Sequence, residues 1–322
     1  MFGDFEMIGG ELLIKYHGKE KDIYVPEGIT RIIDEAFAKS EIESVTIPNT
    51  VKAIDECAFK GCKKLEEVRL PKSSLVRIGG GSFMGCTVLG DIYIPDSVRG
   101  LGVSAFADCT ALTEVRFPEN LSVIEENAFG GCRSLKKANI PEAVTEICAK
   151  VFENCSELAE VNIPDGVRVI GEEAFAGCEA LKYIILPHSV EEIGARAFAG
   201  CKGLFKIVIP DNVAIIGNSA FSGCKLRSVT LPRELNVIGN GAFKDCKWLE
   251  TLKFPDKVSE IGSFAFSGCE RLREVTINES LDVICEGAFR DCVNLERINI
   301  PKTIKAVGNN AFQNCPKLQK IL

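Results

Sequence analysis

Apolar residues recur along this chain with a period of 23 residues, which is the period of neither a helix nor a strand. A representative segment, Pro164–Leu186, reads PDGVRVIGEEAFAGCEALKYIIL, and close copies of it fill almost the whole chain. About eight apolar positions per copy fit a coil that turns around a shared interior, to which each side contributes a few inward residues. The pattern therefore predicts a solenoid of stacked coils.

Three columns of residues define the copies. Aligned on a proline, which one copy replaces by asparagine, thirteen copies start at Pro26, Pro48, Pro71, Pro95, Pro118, Pro141, Pro164, Pro187, Pro210, Pro232, Pro255, Asn278 and Pro301. Each copy has one phenylalanine that we expect in the middle of its coil: Phe37, Phe59, Phe83, Phe106, Phe129, Phe152, Phe175, Phe198, Phe221, Phe243, Phe266, Phe289 and Phe312. A third inward column holds Cys62, Cys86, Cys109, Cys132, Cys155, Cys178, Cys201, Cys224, Cys246, Cys269, Cys292 and Cys315, with Ser40 in the first copy. Burial of each ring contributes roughly 1.5–3 kcal/mol, so the phenylalanines form a large part of the predicted core.

Each copy predicts two short strands and one tight turn. The segment L-x-x-V-x-I, for example Leu158–Ile163, alternates at its end, so Val161 points inward and Asn162 outward. Stacking these segments gives a parallel sheet, which the following proline ends because it has no N–H to donate. The segment V-x-x-I, as in Val167–Ile170, predicts a second extended piece, and G-x-x-A-F-x-x-C predicts one helical or 3₁₀ turn.

The two ends of the chain differ from the repeats. Glu11–Tyr16 and Asp22–Val25 read as two strands of a hairpin that covers one end of the core. We therefore divide the chain into a capping hairpin, residues 1–25, and one solenoid domain of thirteen repeats, residues 26–322. The last segment, Leu318–Leu322, stops on a strand whose edge is open. We expect either a fragment of a longer protein or a partner that covers this end.

The consensus resembles a known repeat. I-P-x-x-V-x-x-I-G-x-x-A-F-x-x-C-x-x-L is the signature of leucine-rich repeats of the BspA type, and the resemblance covers Pro26–Leu322. Departures such as Asn278 for proline and Cys148 or Cys285 for glycine affect single coils. The resemblance implies a right-handed solenoid with a parallel β-sheet along one face. It also implies a bacterial surface protein that binds a protein ligand, such as an extracellular-matrix or cell-surface protein, in adhesion.

Charge and cysteine usage restrict the partners and the chemistry. The net charge of −7 argues against nucleic acid and against an anionic membrane surface. No stretch approaches the roughly 20 apolar residues of a membrane span, so we expect no membrane insertion, and the first ten residues lack the pattern of a signal peptide. Twelve of the fifteen cysteines fall in the inward column, which predicts reduced, structural thiols. Free thiols favour a reducing or anaerobic setting, whereas the resemblance suggests the cell surface, so localisation stays open.

One group of outward residues predicts a binding site. On the sheet, Ile185 and Val208 occupy adjacent outward positions in a column that is mostly polar. Tyr183 is their neighbour, Phe205 lies one step further round, and Trp248, the single tryptophan, lies two coils along. An exposed apolar and aromatic cluster is typical of a protein-binding site. The alternative is that β-branched and aromatic residues simply suit strands.

Catalysis and metal binding have little support in the sequence. His17 lies in the predicted cap, and His188 replaces an acidic residue at a turn, while the column of cysteines points inward. Gly79–Gly81 lacks the G-K-[ST] that would follow in a phosphate loop. The acidic residues that follow many of the prolines supply one carboxylate per coil, too few for calcium. We therefore expect no enzymatic activity, no cofactor and no metal.

A second function also agrees with the repeats. The solenoid could serve as a spacer or assembly arm that docks another domain, or that forms a homodimer through its open C-terminal end. The sequence alone leaves both functions open.

Overall fold

A computed structural model describes the backbone of residues 3–321 and the side chains of residues 3–319. The chain divides into two compact units, Met1–Pro164 and Asp165–Leu322. That all thirteen repeats form one domain stays a prediction. Every regular element in the described part of the chain is a β-strand.

The first unit contains two sets of short strands. The set on the V-x-x-I segments, with the N-terminal strands, comprises β1 (Phe5–Ile8), β2 (Leu12–Tyr16), β4 (Arg31–Ile32), β6 (Ala53–Ile54), β8 (Arg77–Ile78), β10 (Gly100–Leu101), β12 (Val123–Ile124) and β14 (Glu146–Ile147). The set on the L-x-x-V-x-I segments comprises β3 (Asp22–Tyr24), β5 (Ser44–Thr46), β7 (Glu67–Arg69), β9 (Asp91–Tyr93), β11 (Glu114–Arg116), β13 (Lys137–Asn139) and β15 (Glu160–Asn162). In the first set, β1 to β12 join in one sheet; in the second, β3-β5-β7 and β9-β11-β13-β15 form two.

The second unit repeats this arrangement. Its V-x-x-I set, a single sheet in chain order, comprises β16 (Val169–Ile170), β18 (Glu192–Ile193), β20 (Ile215–Ile216), β21 (Val237–Ile238), β23 (Glu260–Ile261), β25 (Val283–Ile284) and β27 (Ala306–Val307). Its L-x-x-V-x-I set comprises β17 (Tyr183–Ile185), β19 (Lys206–Val208), β22 (Thr251–Lys253), β24 (Glu274–Thr276), β26 (Arg297–Asn299) and β28 (Lys320–Ile321). Strands β17 and β19 pair with each other, and β22 to β28 form a separate sheet. The predicted β-solenoid of parallel strands is confirmed.

The turn around each phenylalanine is not helical, contrary to the prediction. The residues two positions before and two positions after each phenylalanine have φ between 55° and 76°, as Glu173 and Gly177 do on either side of Phe175. Left-handed residues interrupt a right-handed helix. Alternate N–H groups of the turn bond to the next coil, as Phe175 N–H does to the carbonyl oxygen of Ala197 at 2.8 Å, while those between them bond three residues back within the turn.

The core consists of stacked phenylalanines bordered by cysteines. Ring centroids of successive coils lie 4.8–5.9 Å apart in the first unit and 5.2–5.7 Å apart in the second. No more than 1% of the surface is exposed for Phe129, Phe152, Phe175, Phe198, Phe221, Cys132, Cys155, Cys178, Cys201 and Cys224.

The column of cysteines has a hydrogen-bonding role in addition to its packing role. The thiol of Cys201 donates to the carbonyl oxygen of Phe175 in the preceding coil at 3.1 Å, and Cys246 donates in the same way to Phe221 at 3.2 Å. A small side chain that can donate inside the core therefore suits this position. Burial raises the pKa of the Cys201 thiol to about 12. Among the described residues the fifteen cysteines are reduced, and no disulfide joins them.

The N-terminal hairpin is present, but the predicted pairing of its strands is wrong. Strand β2 pairs antiparallel with β1, not with β3, and the turn between them contains Gly9 and Gly10 with φ of 62° and 74°. Glycine adopts this left-handed conformation without steric cost, which allows the chain to reverse there. Strands β2 and β3 instead pair in parallel with β4 and β5, as the two strands of a coil do. Tyr16 accordingly extends the ring stack, 5.5 Å from Phe37.

The final coil is less buried than the others. Phe312, Cys315 and Leu318 are half-buried, whereas their equivalents in the other repeats are buried, apart from the half-buried Ser40 of the first repeat. The expectation that Ile321 and Leu322 point inward concerns side chains outside the described residues. Within the described part of the chain, no helix has the length and apolar character needed to span a bilayer.

Candidate binding surface

Two adjacent strands of the second unit carry exposed apolar side chains. In the parallel pair β17–β19, Tyr183 is in register with Lys206 and Ile185 with Val208. Residues in register on one face of a sheet lie about 4.8 Å apart. Ile185 is 68% exposed, Val208 53% and Tyr183 58%. These three residues, which we call the strand-face patch, therefore form one contiguous apolar surface.

Phe205 and Trp248 lie beside this patch rather than in it. Phe205 directly precedes β19 and is 46% exposed. Trp248 is half-buried, and the guanidinium of Arg271 lies over its ring at 3.7 Å, with that of Arg227 at 5.9 Å. Arg271 thus covers one face of the indole through a cation–π contact, which holds the ring in place.

Phe205 and Trp248 line a common cavity of about 810 Å³, a size typical of ligand sites. We call it the basic–aromatic cavity; its lining residues are Lys182, Lys202, Gly203, Phe205, Lys206, Lys225, Arg227, Ser228 and Trp248. No residue of this lining is acidic, although the chain as a whole has a net charge of −7. Lys206 belongs to the lining and is also in register with Tyr183, so the cavity and the strand-face patch adjoin.

The cavity lies where one coil is shortened. The repeat has two residues between its cysteine and its leucine, but only Lys225 lies between Cys224 and Leu226. In the coil before, Gly203 has no side chain, and a Cβ at that position would lie 2.5 Å from the carbonyl oxygen of Glu179. A side chain at Gly203 would therefore collide with the backbone of the preceding coil, and Gly203, Lys225 and Trp248 of three successive coils all line the cavity.

The same coil interrupts the parallel sheet. Residues 228–230 occupy the L-x-x-V-x-I position between β19 and β22, yet they are not a strand. A second cavity, of about 800 Å³, lies along this interruption. Its lining combines four hydroxyl-bearing residues, Ser228, Thr230, Thr251 and Thr276, with charged residues of both signs.

Shortening alone does not produce such a site. The first unit has the same deletion beside Ser40, where only Glu41 separates the serine from Ile42. Strand β5 of that coil still pairs with both β3 and β7. The cavity there is about 370 Å³ and has an acidic lining that includes Asp22, Glu43, Glu66 and Glu67. The basic–aromatic character therefore comes from the residues around the second deletion.

The cations of the basic–aromatic cavity are mostly without carboxylate partners. Elsewhere in the second unit, coil-to-coil ion pairs are common, such as Lys247 with Glu270 at 2.7 Å. In the cavity, Lys202 pairs with Glu179 at 2.7 Å. The other four cations form no ion pair with any residue that the structure describes: Lys182, Lys206, Lys225 and Arg227. Sequence reasoning missed this cluster because its members lie in separate coils and form no basic run.

The other sites considered from the sequence are ordinary surface features. His17 contacts Glu6 at 3.0 Å, and the backbone oxygen of His188 accepts a hydrogen bond from Asn212 at 2.9 Å. In the acidic column, Asp211 pairs with Arg233, and the hydrogen bonds from Arg233 lower the pKa of that carboxyl. Over residues 3–321, no group of three or more potential metal ligands is found.

Comparison with solved structures places this fold among leucine-rich-repeat proteins. A leucine-rich cell surface protein from Faecalibacterium prausnitzii is 29% identical, with a TM-score of 0.60 over 98% of this chain and 91% of that chain. A leucine-rich repeat protein from Bacteroides ovatus is 25% identical, with a TM-score of 0.70 over 98% and 90%. The pneumococcal vaccine antigen PcpA, 20% identical with a TM-score of 0.65 over 93% and 89%, shares the fold.

The sequence defines the family within that class. The profile of the BspA type leucine rich repeat region, a model of six copies, matches residues 15–136, 76–204 and 192–319. The chain belongs to the BspA-type leucine-rich-repeat family. Comparison with curated protein sequences gives no match. Repeats of this family are in general non-enzymatic scaffolds for protein interaction, and no feature of the described residues points to catalysis.

Proposed function

We propose that this chain is a non-catalytic protein-binding solenoid whose ligand docks on the strand-face patch, Tyr183, Ile185 and Val208, and on the adjoining Phe205 and Trp248. The observation that carries the proposal is the contiguous exposure of Ile185 and Val208 on paired strands. The equivalent outward position in nine of the other coils is polar or charged: Thr46, Arg69, Arg116, Asn139, Asn162, Thr230, Lys253, Thr276 and Asn299. Strand propensity alone would not select two aliphatic neighbours in this column, and exposed apolar clusters are characteristic of protein interfaces.

The biological setting that we propose is adhesion at a bacterial cell surface, with an extracellular-matrix or cell-surface protein as ligand. The family of the repeats supports this, as does the similarity to a protein described as a leucine-rich cell surface protein. Nucleic acid and membrane insertion have no part in the proposal, and neither has a cofactor.

The double substitution Ile185→Thr with Val208→Thr tests the patch. Threonine is already present in this column at Thr46, Thr230 and Thr276, so the strands should form as before. We expect capture of immobilised extracellular-matrix or cell-surface protein to fall by at least about tenfold, while the melting temperature is unchanged. Tyr183→Ala and Phe205→Ala should act in the same direction.

The matched control is Val237→Thr, which changes a 49% exposed valine on the other set of strands. Capture by this variant should equal that of the wild type. Undiminished capture by the double variant, or an equal loss in the control, would contradict the proposal.

The alternative function is a spacer or assembly arm that docks another domain or forms a homodimer through its C-terminal end. Homodimerisation through that end predicts a dimer mass in light scattering that persists with reductant. Appending a polar repeat after Leu322 should then give a monomer. A monomer at all concentrations in the unaltered chain would eliminate homodimerisation through that end.

A further inference from the structure

We propose that the basic–aromatic cavity binds an extended segment of the partner protein in which acidic residues alternate with apolar or aromatic ones. This inference rests on the proposed function, since it specifies the chemistry of the ligand at the same surface. Carboxylates of the segment would meet the cations of the cavity, and an apolar side chain would lie against Phe205 and Trp248.

Charge is the first argument for an acidic ligand. Five cations line the cavity, and within the described residues a carboxylate pairs with one of them, Lys202. Glu250 of the next coil donates its backbone N–H to the carbonyl oxygen of Arg227 at 3.2 Å, and its carboxylate forms no ion pair with Arg227 in the described structure. Clustered cations in a concave site attract anions and select against cationic ligands. The local charge is therefore opposite to the net charge of −7.

The apolar surface favours a peptide over a polyanion such as a sulfated glycan or a nucleic acid. Ile185 and Val208 continue the apolar surface from the cavity across the strand face, with Lys206 between cavity and patch. A polyanion would gain little from covering aliphatic side chains. Stacking of nucleobases is also restricted, because Arg271 already covers one face of Trp248 at 3.7 Å.

The dimensions of the cavity suit a short extended segment. Lys182 and Trp248 lie three coils apart, which corresponds to ~14 Å at the spacing of parallel strands. About four residues of an extended chain cover that distance. Successive side chains of an extended chain point to opposite sides. If acidic and apolar residues alternate, the acidic side chains would face the cations, and the apolar side chains would face the aromatic rings and the aliphatic residues.

The test is a titration with a synthetic peptide, free of tryptophan, in which glutamate alternates with leucine and phenylalanine. Trp248 is the only tryptophan of the chain, so its fluorescence reports on this cavity alone. We expect saturable binding that weakens as salt is raised. Arg227→Glu and Lys206→Glu should each weaken binding by at least about tenfold, and the milder Arg227→Gln and Lys206→Gln should weaken it less. Thermal melts verify that each variant is folded.

Two matched controls make the test specific. Lys136 directly follows the leucine of its repeat, as Arg227 does in its own repeat, but Lys136 lies outside the cavity. Lys136→Glu therefore makes a similar change of charge at an equivalent position. It should leave the affinity unchanged. A peptide with glutamine in place of glutamate should bind at least about tenfold more weakly than the acidic one.

Equal affinity for the glutamine peptide, equal weakening by Lys136→Glu, or no binding of the acidic peptide would overturn the inference. Heparin or a single-stranded oligonucleotide could also bind more tightly than the acidic peptide, with binding that Arg227→Glu and Lys206→Glu abolish. That result would overturn the inference too, because the ligand would then belong to another chemical class. None of these results bears on the capture assay with Ile185→Thr and Val208→Thr. Loss of capture in that assay would still support the strand-face proposal.

Discussion

At the scale of single residues, most of the core was predictable from the sequence and the turn geometry was not. The phenylalanine and cysteine columns define the interior because one residue type recurs at one position in every coil, apart from Ser40 in the cysteine column. The residue two positions after each phenylalanine is glycine, asparagine or aspartate in every copy except for Lys39, and it has a positive φ throughout. That composition is a signal of left-handed backbone that reading the segment as a helix overlooked.

The burial of the cysteine column predicts a pattern of thiol reactivity. Burial raises the pKa of the Cys201 thiol to about 12, and burial together with Glu260 raises that of Cys285 to about 11. A thiol with a raised pKa is protonated at pH 8, and it forms the reactive thiolate only as the pH approaches that pKa. We expect alkylation of the native chain at pH 8 to modify the half-buried Cys57 and Cys315 first, because the hydrogen bond with Cys292 lowers the pKa of Cys315, while the buried members of the column are protected.

Mass spectrometry of the alkylated chain measures this directly, with the urea-unfolded chain as the control in which all fifteen thiols react. Labelling of Cys285 should rise steeply between pH 8 and pH 11, because deprotonation of its raised pKa lies in that range. Modification of Cys201 as fast as Cys57 in the native chain would contradict the packing described here.

At the scale of elements, the repeat pattern predicted where the strands lie, but it did not predict every pairing between them. Both strand positions of a coil could be read from the alternation of apolar residues. The N-terminal hairpin was assigned to the wrong pair because β2 and β3 read locally as two strands across a turn. In the structure, their positions match those of the two strands in a coil, so each pairs with the next coil instead. Pairing between distant segments is not encoded in local alternation.

The interrupted sheet is another feature of this scale. The sequence shows that one residue is missing beside Lys225, but the same deletion beside Ser40 leaves β5 paired on both sides. The consequence depends on the neighbouring coils, because Gly203 and Trp248 line the same cavity as Lys225. Residues in three coils must be considered together, which an alignment of single repeats does not do.

At the scale of the whole molecule, the periodicity established the solenoid class and the family, and it left the binding chemistry open. Net charge indicated an acidic protein, yet the cations of one cavity come from coils that are adjacent in space and about 20 residues apart in sequence. Of the predicted binding residues, Tyr183, Ile185 and Val208 form one patch, and Phe205 and Trp248 line the cavity beside it. That they bind a ligand remains our proposal.

The proposed peptide site depends on the shortened coil of the second unit, so the most direct measurement restores the length of that coil. Insertion of one glycine between Lys225 and Leu226 returns the coil to the spacing of the repeat and adds a residue beside Lys225 in the lining of the cavity. The affinity of the acidic peptide, read from Trp248 fluorescence, should fall by at least about tenfold with no loss of melting temperature. The matched insertion between Glu41 and Ile42 in the first unit should leave the affinity unchanged. Full affinity after insertion beside Lys225, or the same loss after both insertions, would contradict the assignment of binding to this coil.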